Sequence, residues 1–138
     1  MRGYFAVGAE GISKAMNLGA ILRTGHAFGA SFAFTVDATH KALDVFQSDT
    51  AKSASHVPFY EWDNIDAMRM PAQCQLVGIE LTDEAVDLPT FKHPLCAAYV
   101  FGREWGSLTE EMQDRCAHIV KIPTKFCVNV SVACAITL

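Results

Sequence analysis

Short apolar runs recur along the chain, separated by stretches in which apolar residues return every three or four positions. Residues 4–7 (YFAV) read as a buried strand that ends in a Gly-containing turn. A helical pattern follows, with Leu18, Ile21, Leu22, Gly25 and Phe28 on one face, Asn17 at its expected start and Gly29 at its end. Further strands are expected at residues 31–36, 56–62, 74–81, 96–102 and 118–123, with helix-compatible pieces at 41–47, 64–69 and 108–116. Ser107 with Glu110 three positions on has the form of a capping box for the last of these. Buried strands alternating with helices predict an α/β fold, a mostly parallel sheet with flanking helices.

Three places break the apolar pattern. In NLGAILRTG, Asn17 and Arg23 are polar members of an otherwise apolar helix; on their own they read as an N-cap and a solvated charge. In VFGREWG, two glycines flank a charged pair at the carboxyl end of a strand, the edge where open α/β sheets bind ligands. The plain reading is a tight turn; the functional one is a backbone that must approach a ligand, with Glu104 bonding it. In IPTKFCVNVSVACAITL, a Pro-containing loop leads into an apolar run seeded with Asn129, Ser131 and Thr137. There Asn129 could cap a buried helix with Ser131 bonding back to the chain, or could converge on a ligand with the Cys127 backbone.

Composition narrows the class. At 138 residues, 51% hydrophobic and 19% charged, the chain fits one ordered domain. Its five cysteines, at 74, 96, 116, 127 and 134, form no CxxC pair, and its five histidines show no ligand spacing. Neither a metal site nor a disulfide framework is indicated, and reduced thiols fit a cytoplasmic protein. No stretch has the length of a membrane span. The net charge of −4 disfavours nucleic-acid binding by bulk electrostatics. Yet nine acidic and three basic residues fall within 41–90, while 91–138 holds five basic and four acidic, so either end retains room for a local basic surface.

Taken in order, Asn17-x-Gly19-x-Ile21-x-Arg23, Gly102-x-Glu104, and Ile122-Pro123 followed by Asn129-Val130-Ser131-Val132-Ala133 resemble the three signature motifs of the SpoU-type branch of the SPOUT methyltransferases. The resemblance runs from residue 3 to the end. It implies a deep C-terminal trefoil knot, a rare exception to the rule that chains do not thread their own loops. It also implies a homodimer, S-adenosylmethionine as cofactor, and methyl transfer to a ribose 2′-hydroxyl of tRNA or rRNA without a metal. Arg23, Asn17, Glu104 and Asn129 match the catalytic positions, and Ile79, Gly102, Ile122 and Cys127 match positions that hold the cofactor. Arg23, Arg103, Lys121 and Lys125, summed over two subunits, would hold the RNA. Two departures stand out: Cys127 takes the place of the usual serine, and Arg103 that of Asn or Pro. The chain also stops about where the last family helix would continue, so the expectation includes a domain of residues 1–138 lacking the end of that helix. The competing reading is a dimeric cofactor- or RNA-binding module of the same fold that no longer catalyses.

Overall fold

A computed structural model of the chain describes residues 3–39, 56–104 and 106–138. Strand β1 (Phe5–Glu10) leads into helix α1 (Ala15–Phe28), then β2 (Phe32–Val36), β3 (Phe59–Trp62), β4 (Gln75–Ile79), β5 (Val86–Asp87) and β6 (Ala97–Phe101). Helix α2 (Glu110–Arg115), β7 (His118–Lys121) and helix α3 (Val130–Thr137) complete the order. The strands form a seven-stranded sheet in the order β3-β2-β1-β6-β4-β7-β5, and every pairing is parallel. The α/β expectation holds, with the two-residue β5 added to the six strands read from sequence.

The central strands are buried from end to end, which is why β1 and β6 read as continuous apolar runs rather than alternating ones. Their odd-numbered residues, among them Val7, Ala9, Tyr99 and Phe101, face Leu18, Ile21 and Leu22 of α1 and Ala133 and Cys134 of α3. Even-numbered residues, such as Ala6, Ala98 and Val100, pack with Phe34, Leu108 and Met112 on the other face. Helices α1 and α3 thus lie side by side on one face, and the end of the chain packs against its beginning.

Several sequence boundaries move, for local reasons. The first strand continues through Gly8 to Glu10, and Gly8 makes room for packing instead of a turn, since a Cβ there would come within 2.3 Å of the Phe34 ring. The turn falls instead at Gly11, whose φ of 65° suits glycine. Helix α1 starts at Ala15, so Asn17 lies inside its first turn and is not the cap. Gly29 does end it, at φ 81°, with the Ala30 N–H returning to Gly25 O at 2.8 Å. The capping box expected at Ser107 is replaced by Thr109, whose hydroxyl accepts the Met112 N–H at 3.2 Å. Residues 64–69 form only one 3-10 turn, Ile65–Ala67, and the helix expected at 41–47 lies outside the described residues.

Candidate active site

All strands point the same way, so their carboxyl ends share one edge. Chain order reverses there between β1 and its neighbour β6, the kind of switch point that opens a crevice. A pocket sits at the ends of β4, β6 and β7. Ile79, Phe101, Ile122, Val128, Val130 and Ala133 give it apolar walls; Glu80, Arg103 and Glu104 supply charge, and Gly102 and Cys127 also line it. The four positions matched to cofactor holding, Ile79, Gly102, Ile122 and Cys127, therefore meet around one cavity although they span 49 positions of the chain.

Beside the pocket, Glu104 solves a problem left by α1. That helix has no side-chain cap at Lys14 and no acid in its first turn, so its leading N–H groups need acceptors from elsewhere. The Glu104 carboxylate serves the donors at the helix entrance from about ninety residues away. It accepts the Ser13 N–H at 3.1 Å, the Ser13 hydroxyl at 2.9 Å, the Lys14 N–H at 3.0 Å and the Asn17 Nδ2–H at 3.1 Å. A carboxylate at a helix N-terminus also meets the positive end of the helix dipole. Burial works against its charge, but hydrogen bonds from its own backbone, Asn17 and Ser13 outweigh that and hold its pKa at about 2.

Asn17 passes the connection on, since its Oδ1 faces Asn129 Nδ2 at 3.4 Å. Asn129 caps α3, accepting the Ser131 N–H at 2.9 Å and the Ser131 hydroxyl at 2.5 Å. The polar residues of the first, second and third motifs are thereby joined in one chain, Glu104 to Asn17 to Asn129, and the N-termini of α1 and α3 are tied together. Thr137 takes no part: its hydroxyl donates to Ala133 O at 2.8 Å inside α3.

Sequence reasoning passed over two acids. Glu10, at the end of β1, accepts the Thr109 N–H at 2.8 Å and the Thr109 hydroxyl at 2.7 Å. Glu80, just past β4, accepts the Leu108 N–H at 2.7 Å and its neighbour Leu81 N–H at 3.1 Å. Both are buried, and together they clamp the segment after β6 from either side. A signal existed, because both strands end in the same spelling, Val-Gly-x-Glu, at residues 7–10 and 77–80.

The expected cationic residues are more dispersed. Arg23 is exposed on α1 and is not among the residues lining the pocket. Arg103 is exposed but folds back across two glycines: a Cβ at Gly11 would lie 2.8 Å from its Nη2, and one at Gly106 would lie 3.0 Å from its Cδ. Lys121 sits 3.9 Å from Asp87, and Lys125 is exposed on the loop before Cys127. Among the described residues no group of three or more His, Cys, Asp or Glu could hold a metal, and no helix is long and apolar enough to cross a membrane.

Residues 4–138 match the model of the SpoU rRNA methylase family. The chain belongs to that family. Among solved structures it is similar to an AdoMet-bound rRNA methyltransferase from Sinorhizobium meliloti, with TM-score 0.87 and 23% identity over 99% of this chain and 55% of that one. It is similar also to the A. aeolicus TrmH/SpoU tRNA modifying enzyme, with TM-score 0.80 and 24% identity over 99% and 72%. A third similar structure concerns 2-OH methylation of C/U34 on tRNA, with TM-score 0.83 and 20% identity over 98% and 91%. The chain thus spans about half the length of the Sinorhizobium meliloti relative. A comparison with curated proteins found no match.

Proposed function

We propose that residues 1–138 act as one methyltransferase domain that uses S-adenosylmethionine to methylate a ribose 2′-hydroxyl of tRNA or rRNA in the cytoplasm. The observation that carries this reading is the pocket itself: apolar walls suited to an adenosine, with the Glu80 and Glu104 carboxylates beside them to favour a cationic sulfonium. When bound, that cofactor supplies an already activated methyl group. Ile79, Gly102, Ile122 and Cys127 would hold it, and the segment from Ile122 onward would form the proposed knot around it.

The hydrogen bonds support distinct roles for these residues within the proposed site. Glu104, with a pKa of about 2, is too weak a base to remove a ribose proton near neutral pH. Its part, with Asn17 and Asn129, is to position the two helices that bound the pocket. A guanidinium is a donor with no lone pair free to take a proton, so an arginine is no candidate base either. The charge of Arg23 orients a substrate phosphate and stabilises the developing alkoxide, while the hydroxyl proton leaves to that phosphate or to water.

The reading also includes a homodimer. Met16 on α1 and Val132 and Ile136 on α3 are 85%, 47% and 50% exposed on neighbouring helices, an apolar face suited to a second copy. Arg23 falls seven positions after Met16 and so shares its stripe on α1. Covering this face carries Arg23 into the boundary between subunits. There it joins Arg103, Lys121 and Lys125 as the cationic surface for RNA.

The test is a calorimetric titration with S-adenosylmethionine on protein of measured subunit mass, followed by mass spectrometry of ribose methylation in RNA transcripts incubated with both. Cofactor binding by a dimer together with transfer to a 2′-hydroxyl supports the reading. Binding without transfer would assign the fold to a non-catalytic module, and a folded dimer that does not bind would remove the cofactor.

A further inference from the structure

Phe126 belongs to no motif and has no part in the hydrogen-bonded chain of the site, yet it is a phenyl ring left 75% exposed. Its position is unusual for an unburied aromatic. Ile122, Thr124 and Cys127 on the same loop line the pocket, so Phe126, between Thr124 and Cys127, stands at the pocket's rim. The loop is also set in shape. The Thr124 hydroxyl donates to Phe126 O at 2.8 Å, with Ile122 O at 3.3 Å alongside, which fixes the backbone that carries the ring. Its sequence neighbour Lys125 is exposed too, so the same loop also carries a cation.

We propose that Phe126 is a specificity-determining residue on which a nucleobase of the RNA substrate stacks, next to or at the nucleotide whose ribose is methylated. The proposal rests on the methyltransferase reading above. An aromatic face at the mouth of a methyl-donor pocket, with a lysine on the same loop, matches what single-stranded RNA offers: an unstacked base and an adjoining phosphate. Apolar burial against a second copy is the other fate open to an exposed ring. The face suited to that runs along α1 and α3, whereas Phe126 is on the loop before α3. Its occupant is therefore a base, and the turn held by Thr124 lowers the ordering cost of the stack.

The experiment measures methyl transfer to a pool of unmodified tRNA and rRNA-fragment transcripts by wild type, Phe126→Ala and Phe126→Trp, with S-adenosylmethionine affinity and subunit mass recorded for each. Phe126→Ala is expected to raise KM for RNA about tenfold, leaving cofactor affinity and mass as in wild type, and Phe126→Trp to restore most of the loss. An unchanged KM overturns the proposal while active wild type leaves the methyltransferase reading standing. A fall in subunit mass makes the ring a subunit contact, and an equal loss of cofactor affinity makes it a loop prop; either result overturns stacking. Wild type that binds no cofactor and transfers no methyl overturns both readings.

Discussion

Residues 102–109 and 122–129 leave strands on either side of β4, at the same edge of the sheet, and together frame the pocket, but their backbones are held differently. The first segment is fastened at three of its described residues: Glu80 takes the Leu108 N–H, Glu10 takes both donors of Thr109, and Glu104 reaches out to the start of α1. The second is pinned by the Thr124 hydroxyl and by Asn129 at its far end. Between those points Lys125, Phe126 and Cys127 are exposed. One wall is held by bonds to other elements of the fold, and the other by bonds within its own loop and to the start of α3. Substitutions in the first should therefore register as stability, and those in the second as substrate handling.

The largest effect expected from breaking the scaffold comes from Asn17→Asp. Asn17 is buried and its Nδ2 donates to Glu104, so the change sets a second carboxylate about 3 Å from one that is held ionised. An unpaired buried charge costs on the order of 3 kcal/mol, against about 1 kcal/mol for the hydrogen bond lost in Asn17→Ala. Urea denaturation of the two variants measures the difference. Equal stabilities would mean that the bond between the first two motifs does not organise this edge.

Glu80→Ala should come next. It leaves the Leu108 N–H without its acceptor in a buried setting, a loss of about 2 kcal/mol, while Glu80→Gln keeps a carbonyl in place and should recover much of it. Thermal melts rank the three proteins. If the Ala and Gln variants melt together, Glu80 does not act as a clamp.

What sequence could reveal follows the same division. Local signals read well: the apolar runs of the central strands, Gly29 as helix terminator and Asn129 as the cap of α3 were all legible, because each depends on a few neighbouring residues. Signals that act across the fold misled or were silent. Asn17 looked like a cap because α1 carries none of its own; the missing acceptor arrives from Glu104, beyond any local pattern. Gly8 looked like a turn because the ring of Phe34 that needs its space belongs to another strand. Glu10 and Glu80 passed unnoticed because an acid ending a strand is unremarkable until the N–H groups it serves are located. The four positions proposed to hold cofactor came from family resemblance, and only the sheet order explains why they converge on one cavity.

A smaller effect separates the two walls by pH. Glu104 has its pKa lowered from 4.5 to about 2 on folding, so its contribution is fully present above about 4.5 and is lost as pH falls toward about 2. Wild type should lose stability across that window faster than Glu104→Gln, which has no carboxyl to protonate there. The carboxylate is only part-buried, so solvent screening keeps the difference modest. Denaturation midpoints at pH 6, 4 and 3 measure it. Parallel pH profiles would show that the carboxylate is not preferentially ionised in the folded protein.

The smallest effect belongs to the second wall. Phe126→Ala removes a ring that is already 75% exposed and leaves the Thr124 bond that sets its loop, since Thr124 bonds the Phe126 carbonyl and not its side chain. Surface changes of this kind move stability by no more than about 0.5 kcal/mol, so its urea midpoint should match wild type. That outcome, set beside a large loss for Asn17→Asp, would confirm that the scaffold is concentrated on the 102–109 side. A loss above about 1 kcal/mol would mean that Phe126 is packed in the assembled protein, and the contrast between the two walls would fail at the residue where it is sharpest.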